Sequence, residues 1–322
     1  MLVSASGGTS PSSPDRRNGD KSAQTIVHRS QHGSHPSRRR HDFGPPVWLS
    51  RWLRRYGVVV RRSLGQNFLI DHEVFDRIIA AAALQPDDLI VDIGAGTGEL
   101  TERLASRAGR VLAIEVDERL VALLRDRFAE RSNIEIVVAD VREADMRQLT
   151  SGHPYRVVAN LPYYLATMAL RRLLESDHPP RDLILMVQRE VGQRLVARRG
   201  EMSLLGVATQ VYAEAELLFE VPASAFFPSP DVTSAVVHLT VRPTPLVPHQ
   251  RDEFFMVVSA GFANPRKQIH NSIPRLLWLP SGAIDDLLAE ARIDPKLRAQ
   301  DLAIDDWIRL RDTLMAHDLL KA

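Results

Sequence analysis

From residue 72 the apolar positions of the chain alternate between two periods. "HEVFDRIIAAAAL" carries them at helical spacing, and "DDLIVDIG" follows as a short continuous run that breaks at glycine. "ELTERLASRA" and "ERLVALLRDRFAE" are helical again, while "RVLAIEVD", "IEIVVAD", "YRVVAN" and "DLILMVQ" are further short runs of Val, Ile and Leu. A helix from about Leu165 to Glu175 and another beginning at "EVGQRLVA" continue the series. Runs that are apolar throughout, separated by helices, predict an α/β fold with a mostly parallel sheet covered on both faces. "AELLFEVP" and "TSAVVHLTV" have only a proline-punctuated loop between them, which suits an antiparallel pair at one sheet edge. Together these runs predict seven strands.

Both flanks depart from the alternation. Residues 1–46 are rich in Ser, Gly, Pro, Arg and His and poor in apolar residues, which predicts a disordered basic leader. "WLSRWLRRYGVVVRR" then sets Trp48, Leu49, Trp52, Leu53 and Tyr56 at helical spacing among arginines. It reads either as a helix packed on the following domain or as an amphipathic helix that touches RNA or membrane. After the proline-rich "RPTPLVPHQ" only short helical patterns remain. A larger domain over 47–246 and a small helical one over 247–322 are therefore expected.

Composition narrows the chemistry. No cysteine occurs among the 322 residues, which removes disulfides, thiol nucleophiles and iron–sulfur clusters. The 11 histidines are scattered without ligand spacing, so no metal is expected. No apolar run reaches the roughly 18 residues that cross a bilayer, and no membrane partner is expected. The formal net charge of +1 hides an asymmetry: residues 1–62 hold 12 Lys/Arg against 3 Asp/Glu, and residues 63–322 hold 29 against 37. A basic leader on an acidic body points to a polyanionic partner or to a solubilising tail.

The first long strand runs into "VDIGAGTGEL", with Gly94, Gly96 and Gly98 directly before a helix. Glycines there permit unusual backbone angles and close approach of a ligand, or serve only as turn residues. Acids at strand ends sharpen the pattern. Asp92 ends the first strand, Glu115 closes the second about twenty residues after the loop, and Asp140 follows the third. A carboxylate at Glu115 can take both hydroxyls of a ribose, and Asp140 can accept from an adenine amine. Val116 and Val141, their neighbours in sequence, join the expected cofactor-binding set. The loop lacks the G-x-G-x-x-G spacing of a pyrophosphate site, and a carboxylate beside it repels phosphate but suits an ammonium. The expected cofactor is a nucleoside carrying an amino acid, S-adenosylmethionine. Upstream, Gln66, Asn67, Phe68 and Leu69 of "LGQNFL" either cap the first helix or close over cofactor or substrate.

"YRVVANLPYYLA" ends a buried strand on an amide and two rings. The exocyclic amine of adenine is a poor nucleophile because its lone pair is delocalised into the ring. Asn160 Oδ1, with the backbone carbonyl of Leu161 or Pro162, can accept from that amine, favour a pyramidal nitrogen and meet its developing positive charge. Pro162 stiffens the corner. Tyr163 offers a face to a flipped-out base, a stack worth about 1–3 kcal/mol. In "PASAFFPSPDVTSAVV", Phe226 and Phe227 are held by prolines; Phe226 is expected on the base's other face, and packing between the edge strands stays open for one of the two. The competing reading is an aromatic turn that closes the core.

"LGQNFL", "VDIGAGTGELT", "IEVD", "VVANLPYY", "MVQREVGQRLVA", "PASAFFPSPDVTSAVV" and "FANPRKQIHNSI" occur in this order. Together they resemble the ribosomal RNA adenine N6,N6-dimethyltransferase family, specifically the small-subunit enzyme that methylates two adjacent adenines near the 3′ end of 16S rRNA. The likeness spans about residues 60–318. It implies a Rossmann-like class I methyltransferase fold with a small helical C-terminal domain. It assigns the cofactor to Gln66, Asn67, Leu69, Gly94 and Glu115, the adenine pocket to Asp140, the NLPY asparagine to Asn160, and the base-holding rings to Tyr163 and Phe226, while Gly96 joins the cofactor-binding set as a glycine of the same loop. The implied substrate is the helix-45 loop within a late 30S precursor, met by a cytoplasmic monomer. The related 23S rRNA enzymes of macrolide resistance would share these residues, and the two late blocks separate them. This chain departs from the family in its thin basic segment, where only Arg266 and Lys267 stand, in Tyr164 after NLPY, and in its long leader.

Overall fold

The computed structural model describes residues 44–60, 66–247, 250–277, 279 and 282–320; most of the expected leader lies outside them. In chain order the elements are α1 (Val47–Arg55), β1 (Phe68–Leu69), α2 (His72–Ala82), β2 (Leu89–Ile93), α3 (Glu99–Ala105), β3 (Arg110–Glu115) and α4 (Glu118–Arg127). There follow β4 (Ile134–Val138), α5 (Met146–Leu149), β5 (Arg156–Asn160), α6 (Ala166–Leu174), β6 (Asp182–Gln188), α7 (Arg189–Leu195), α8 (Leu204–Gln210) and β7 (Ala213–Val221). The chain ends with β8 (Phe226–Phe227), β9 (Ser234–Val241), α9 (Arg251–Phe262), α10 (Ile269–Leu277), α11 (Ala283–Glu290) and α12 (Ile304–Ala316).

The main sheet has seven strands in the order β4-β3-β2-β5-β6-β9-β7. The first five are parallel, β9 runs antiparallel to β6, and β7 antiparallel to β9. β2 is buried throughout, as its unbroken Leu-Ile-Val run requires of a strand covered on both faces. β7, at one edge, exposes Glu214, Glu216 and Glu220, and charges of this kind discourage pairing with another chain.

The chain leaves β2 toward β3 on one side and returns through β5 on the other, which makes the β2/β5 junction a topological switch point. These two strands pair only at Ile90↔Arg156 and Val91↔Val157. At that end Arg156 binds Asp88 at 2.8 Å, Asp182 at 2.9 Å and the Ala82 carbonyl at 2.8 Å. The strands are thus tied where Arg156 stands, and their carboxyl ends are left to part.

A second, two-stranded sheet was not legible in the sequence, because two-residue strands carry no period. β1 pairs with β8 through Phe68↔Phe227 and Leu69↔Phe226, and the Ile70 amide donates to the Ala225 carbonyl at 2.8 Å. It joins "LGQNFL" to "AFFP". α1 packs on the domain, the first of its two readings: Leu49, Leu53 and Val58 are buried with Phe68 and Leu120, while Arg51, Arg54 and Arg55 face outward. Burial of each such leucine contributes about 1.5–3 kcal/mol.

Helices α9 to α12 share one hydrophobic cluster with a face of the sheet, running from Leu185 and Val237 through Phe254 and Val257 to Trp307. Trp307 is fully buried and lies 5.7 Å, centroid to centroid, from Phe262. Its ring occupies the space a Cβ on Gly261 would need. Gly261→Ala is therefore expected to lower the free energy of unfolding by about 1–3 kcal/mol, as overpacking does. Urea denaturation checks this, and an unchanged midpoint would contradict the packing.

Candidate active site

Where the strands part, a cleft of ≈ 610 Å³ opens at the carboxyl ends of β2 to β5, a size suited to a small-molecule ligand. The glycine loop forms its floor. The amides of Gly94 and Ala95 both donate to the Ile114 carbonyl, at 2.8 and 3.2 Å, which folds the loop over β3. Gly94 has φ 73°, and a Cβ built on it would stand 3.3 Å from Pro162 Cδ. The loop and the Asn-Leu-Pro-Tyr corner therefore touch, and any side chain at position 94 would press them apart as well as strain the backbone.

Three acids border the cleft in three different states. Glu115 Oε2 accepts from the Gly96 amide at 2.9 Å, and Oε1 from the amides of Val116 and Asp117 at 2.8 and 2.9 Å. Its carboxylate is locked in place at the end of β3. Asp140 accepts from the Arg142 amide and Nε, each at 2.9 Å, and the Arg142 side-chain hydrogen bond holds its carboxyl below the usual range. Asp92 is 1% exposed and accepts from Thr101 Oγ1 at 2.6 Å. Asp92 lies in β2 just before the glycine loop and lines the cleft, with its carboxyl group bonded to Thr101 of α3. Burial pushes its carboxyl up to about 7, with Thr101 opposing and Glu115 adding to the rise.

On the other wall, Asn160 is the last residue of β5. Among the described residues nothing hydrogen-bonds its side-chain amide. The Pro162 carbonyl accepts from the Leu165 amide at 2.9 Å as α6 begins, which leaves Leu161 as the better placed of the two carbonyls considered from sequence. The Tyr163 hydroxyl bonds Ser234 Oγ at 2.7 Å, and burial raises its pKa. Tyr164 stands 52% exposed at the rim. Phe226 borders the cleft but is only 3% exposed, packed with Leu69 and Phe75.

Gln66, Asn67, Leu69, Asp92, Gly94, Gly96, Glu115, Val116, Asp140, Val141, Asn160, Leu161, Pro162, Tyr163 and Phe226 all border this one cleft. Sequence reasoning missed the groups that hold them. Ser234 fixes Tyr163 from β9, Thr101 meets Asp92 from α3, and Arg127 donates to the Thr97 carbonyl at 2.8 Å. None has a local pattern, since each partner is brought in by the fold.

The lining is strongly acidic. Among the described residues of the lining, Asp92, Glu99, Glu115, Asp117, Glu118 and Asp140 stand with one basic residue, Arg119, which Asp117 binds at 3.0 Å, while Arg127 and Arg142 pair with Glu99 and Asp140 from outside the lining. Such a wall favours hydroxyls and cations and disfavours a pyrophosphate. A sulfonium nucleoside bearing an amino acid fits these acceptors.

A family model described as ribosomal RNA adenine dimethylase matches residues 58–315. The chain belongs to this family. It is 41% identical to "Ribosomal RNA small subunit methyltransferase A" of Shouchella clausii strain KSM-K16, over 85% of this chain and 96% of that one. The solved structure of the 23S rRNA methyltransferase ErmE matches with a TM-score of 0.62 at 28% identity, over 77% of this chain and 100% of the other. A dimethyladenosine transferase from Plasmodium falciparum gives a TM-score of 0.66 at 23% identity, over 78% and 97%. The fold is thus the Rossmann-like, class I S-adenosylmethionine-dependent methyltransferase fold that the resemblance implied, and rRNA adenine dimethylases are enzymes that use this cofactor.

Within this dimethylase the state of Asp92 is open to titration. Its carboxyl moves from an ordinary 3.8 to about 7 on folding, so between those values the folded protein holds a proton that the unfolded chain has lost. Stability should therefore fall as pH rises from about 4 through about 7, and level off above. Asp92→Asn should flatten that slope in thermal melts between pH 5 and 7.5. Equal slopes for the two proteins would show that Asp92 is ionised throughout.

Proposed function

We propose that this chain dimethylates the exocyclic N6 of two adjacent adenosines in the helix-45 loop, near the 3′ end of 16S rRNA. It would act as a monomer on a late 30S precursor in the cytoplasm. The observation that carries the reading is the meeting of two half-sites, the acid-lined cleft and the Asn160 corner, at the Gly94–Pro162 contact. The 41% identity to a protein named for the small subunit supports 16S over 23S rRNA as the target.

In this reading the Glu115 carboxylate faces the ribose hydroxyls of S-adenosylmethionine, and Val116 and Val141 flank its adenine, with Asp140 at the adenine amine. Gln66, Asn67 and Leu69 close over it, Gly94 and Gly96 let it approach the main chain, and Asp92 stands at the mouth of the loop. When bound, it supplies an electrophilic methyl group on a sulfonium. The remaining work falls to the protein. Asn160 Oδ1 and the Leu161 carbonyl accept from the two hydrogens of the target amine, which favours a pyramidal nitrogen whose lone pair is less delocalised into the ring. The same acceptors are already in place when positive charge develops on that nitrogen, so no reorganisation is needed at that moment. Tyr163, pinned through Ser234, sets the plane on which the flipped-out base stacks, and Phe226 limits it from the other side. The amine keeps one hydrogen after the first methylation, enough for one of the two acceptors, and the open mouth beside Tyr164 lets released protons reach solvent.

Docking of an acidic body on RNA depends on local cations. Arg194, Arg198, Arg266 and Lys267 are exposed, whereas Arg199 is engaged by the Asp301 carbonyl at 2.6 Å.

Asn160→Ala is expected to bind S-adenosylmethionine within about threefold of the wild type. On undermethylated 30S particles it should lose about a hundredfold or more in methyl transfer, the scale of removing one preorganised polar group. Titration calorimetry and a labelled-methyl assay measure the two quantities. Turnover equal to the wild type would overturn the role given to Asn160.

A further inference from the structure

No residue of the lead-in segment 44–60 borders the cleft, yet three separate connections run from it to residues that do. The first is apolar. Leu49, Leu53 and Val58 are buried in one small cluster with Phe68 and Leu120. Phe68 and Leu120 both line the cleft, and the Phe68 ring lies 3.6 Å from where a Cβ of Gly96 would stand. The second is polar. The Gly57 carbonyl accepts from Arg119 Nη1 at 3.3 Å, and Arg119 is the basic residue of the cleft wall. The third reaches the glycine loop from behind. The Trp52 ring is 6.0 Å from the Arg127 guanidinium, which donates to the Thr97 carbonyl at 2.8 Å and to Glu99 and Glu102, each at 2.6 Å.

Magnitudes rank these links. The Arg55–Asp126 pair that also joins the segment to α4 is 60% and 49% exposed, and exposed pairs contribute little. The buried leucines are the strong link, and what they press on is the lid of the cleft: Phe68 belongs to β1, which β8 and Phe227 hold from the other side.

We propose that α1 and the Tyr56–Val58 turn are a positioning brace, which sets cofactor affinity by holding Phe68 against the glycine loop and Leu120 in the cleft wall without touching cofactor or RNA base. The inference rests on the cleft being the S-adenosylmethionine site. A brace differs from a helix that only stabilises the fold. Loosening a brace weakens cofactor binding per folded molecule, while loosening a merely structural helix lowers the melting temperature and leaves that affinity unchanged.

The test uses the full chain and S-adenosylmethionine itself, titrated calorimetrically into wild type, Leu53→Ala and Leu53→Met. Leu53→Ala is expected to raise the dissociation constant roughly 3- to 30-fold, the range seen when a residue acts on a site through its neighbours. The KM for S-adenosylmethionine should rise with it, while kcat and the KM for 30S particles stay within about twofold. Leu53→Met, which refills the volume, should return the affinity to within about twofold of the wild type. An unchanged dissociation constant in folded Leu53→Ala overturns the brace. If Leu53→Ala does not fold, Trp52→Ala decides in its place, being half-buried and linked through Arg127 to Thr97; unchanged affinity there overturns the proposal. A wild-type protein that binds no S-adenosylmethionine would refute the cofactor reading itself, which keeps the two failures apart.

Discussion

The contact between Gly94 and Pro162 is the constraint on which the site depends. A parallel sheet places its ligand crevice where the strand order reverses, here between β2 and β5. Those strands are joined at one end by two register pairs and by Arg156, and diverge at the other. Two loops then meet across the gap. One is glycine with φ 73° and no side chain, and the other is a proline whose ring fills the space left. Acids on the first side suit a cationic nucleoside, and a free amide on the second suits an aromatic amine. Proximity of the two, fixed before either ligand arrives, is the contribution that orientation makes to such a reaction.

Most of this frame could be read from the chain. Unbroken Val/Ile/Leu runs gave away the parallel strands, and the proline-punctuated loop before "TSAVVHLTV" identified the antiparallel pair. Asn160, Glu115 and Asp140 stood out because each is a polar residue at or just beyond the end of an apolar run. What stayed hidden is what only long-range pairing creates. β1 and β8 are two residues each, so no periodicity could show them, and their pairing brings residues 68–69 onto residues 226–227. Asp92 was legible as an acid of the site, but its bond to Thr101 on α3 was not.

The supports of the site are spread over the whole domain. Ser234 on the penultimate strand of the sheet fixes Tyr163, α4 supplies Arg127 and Leu120, and α1 presses on the lid that β1 and β8 make. Residues that touch a ligand thus owe their geometry to residues that do not, a division common where a few tenths of an ångström matter. Charge follows the same division. Acids gather inside the cleft, while cations such as Arg194, Arg198 and Lys267 stand exposed.

The central claim is that the Asn160 corner holds an adenine amine of small-subunit rRNA at the cleft of the protein. Its most direct test incubates the purified protein and labelled S-adenosylmethionine with undermethylated 30S particles, with 50S particles and with naked 16S rRNA, and then maps the modified bases. The account predicts N6,N6-dimethyladenosine at two adjacent positions near the 3′ end of 16S rRNA, formed on 30S particles and poorly on naked RNA. Label in 23S rRNA, or no label on adenine N6 in any substrate, would contradict it.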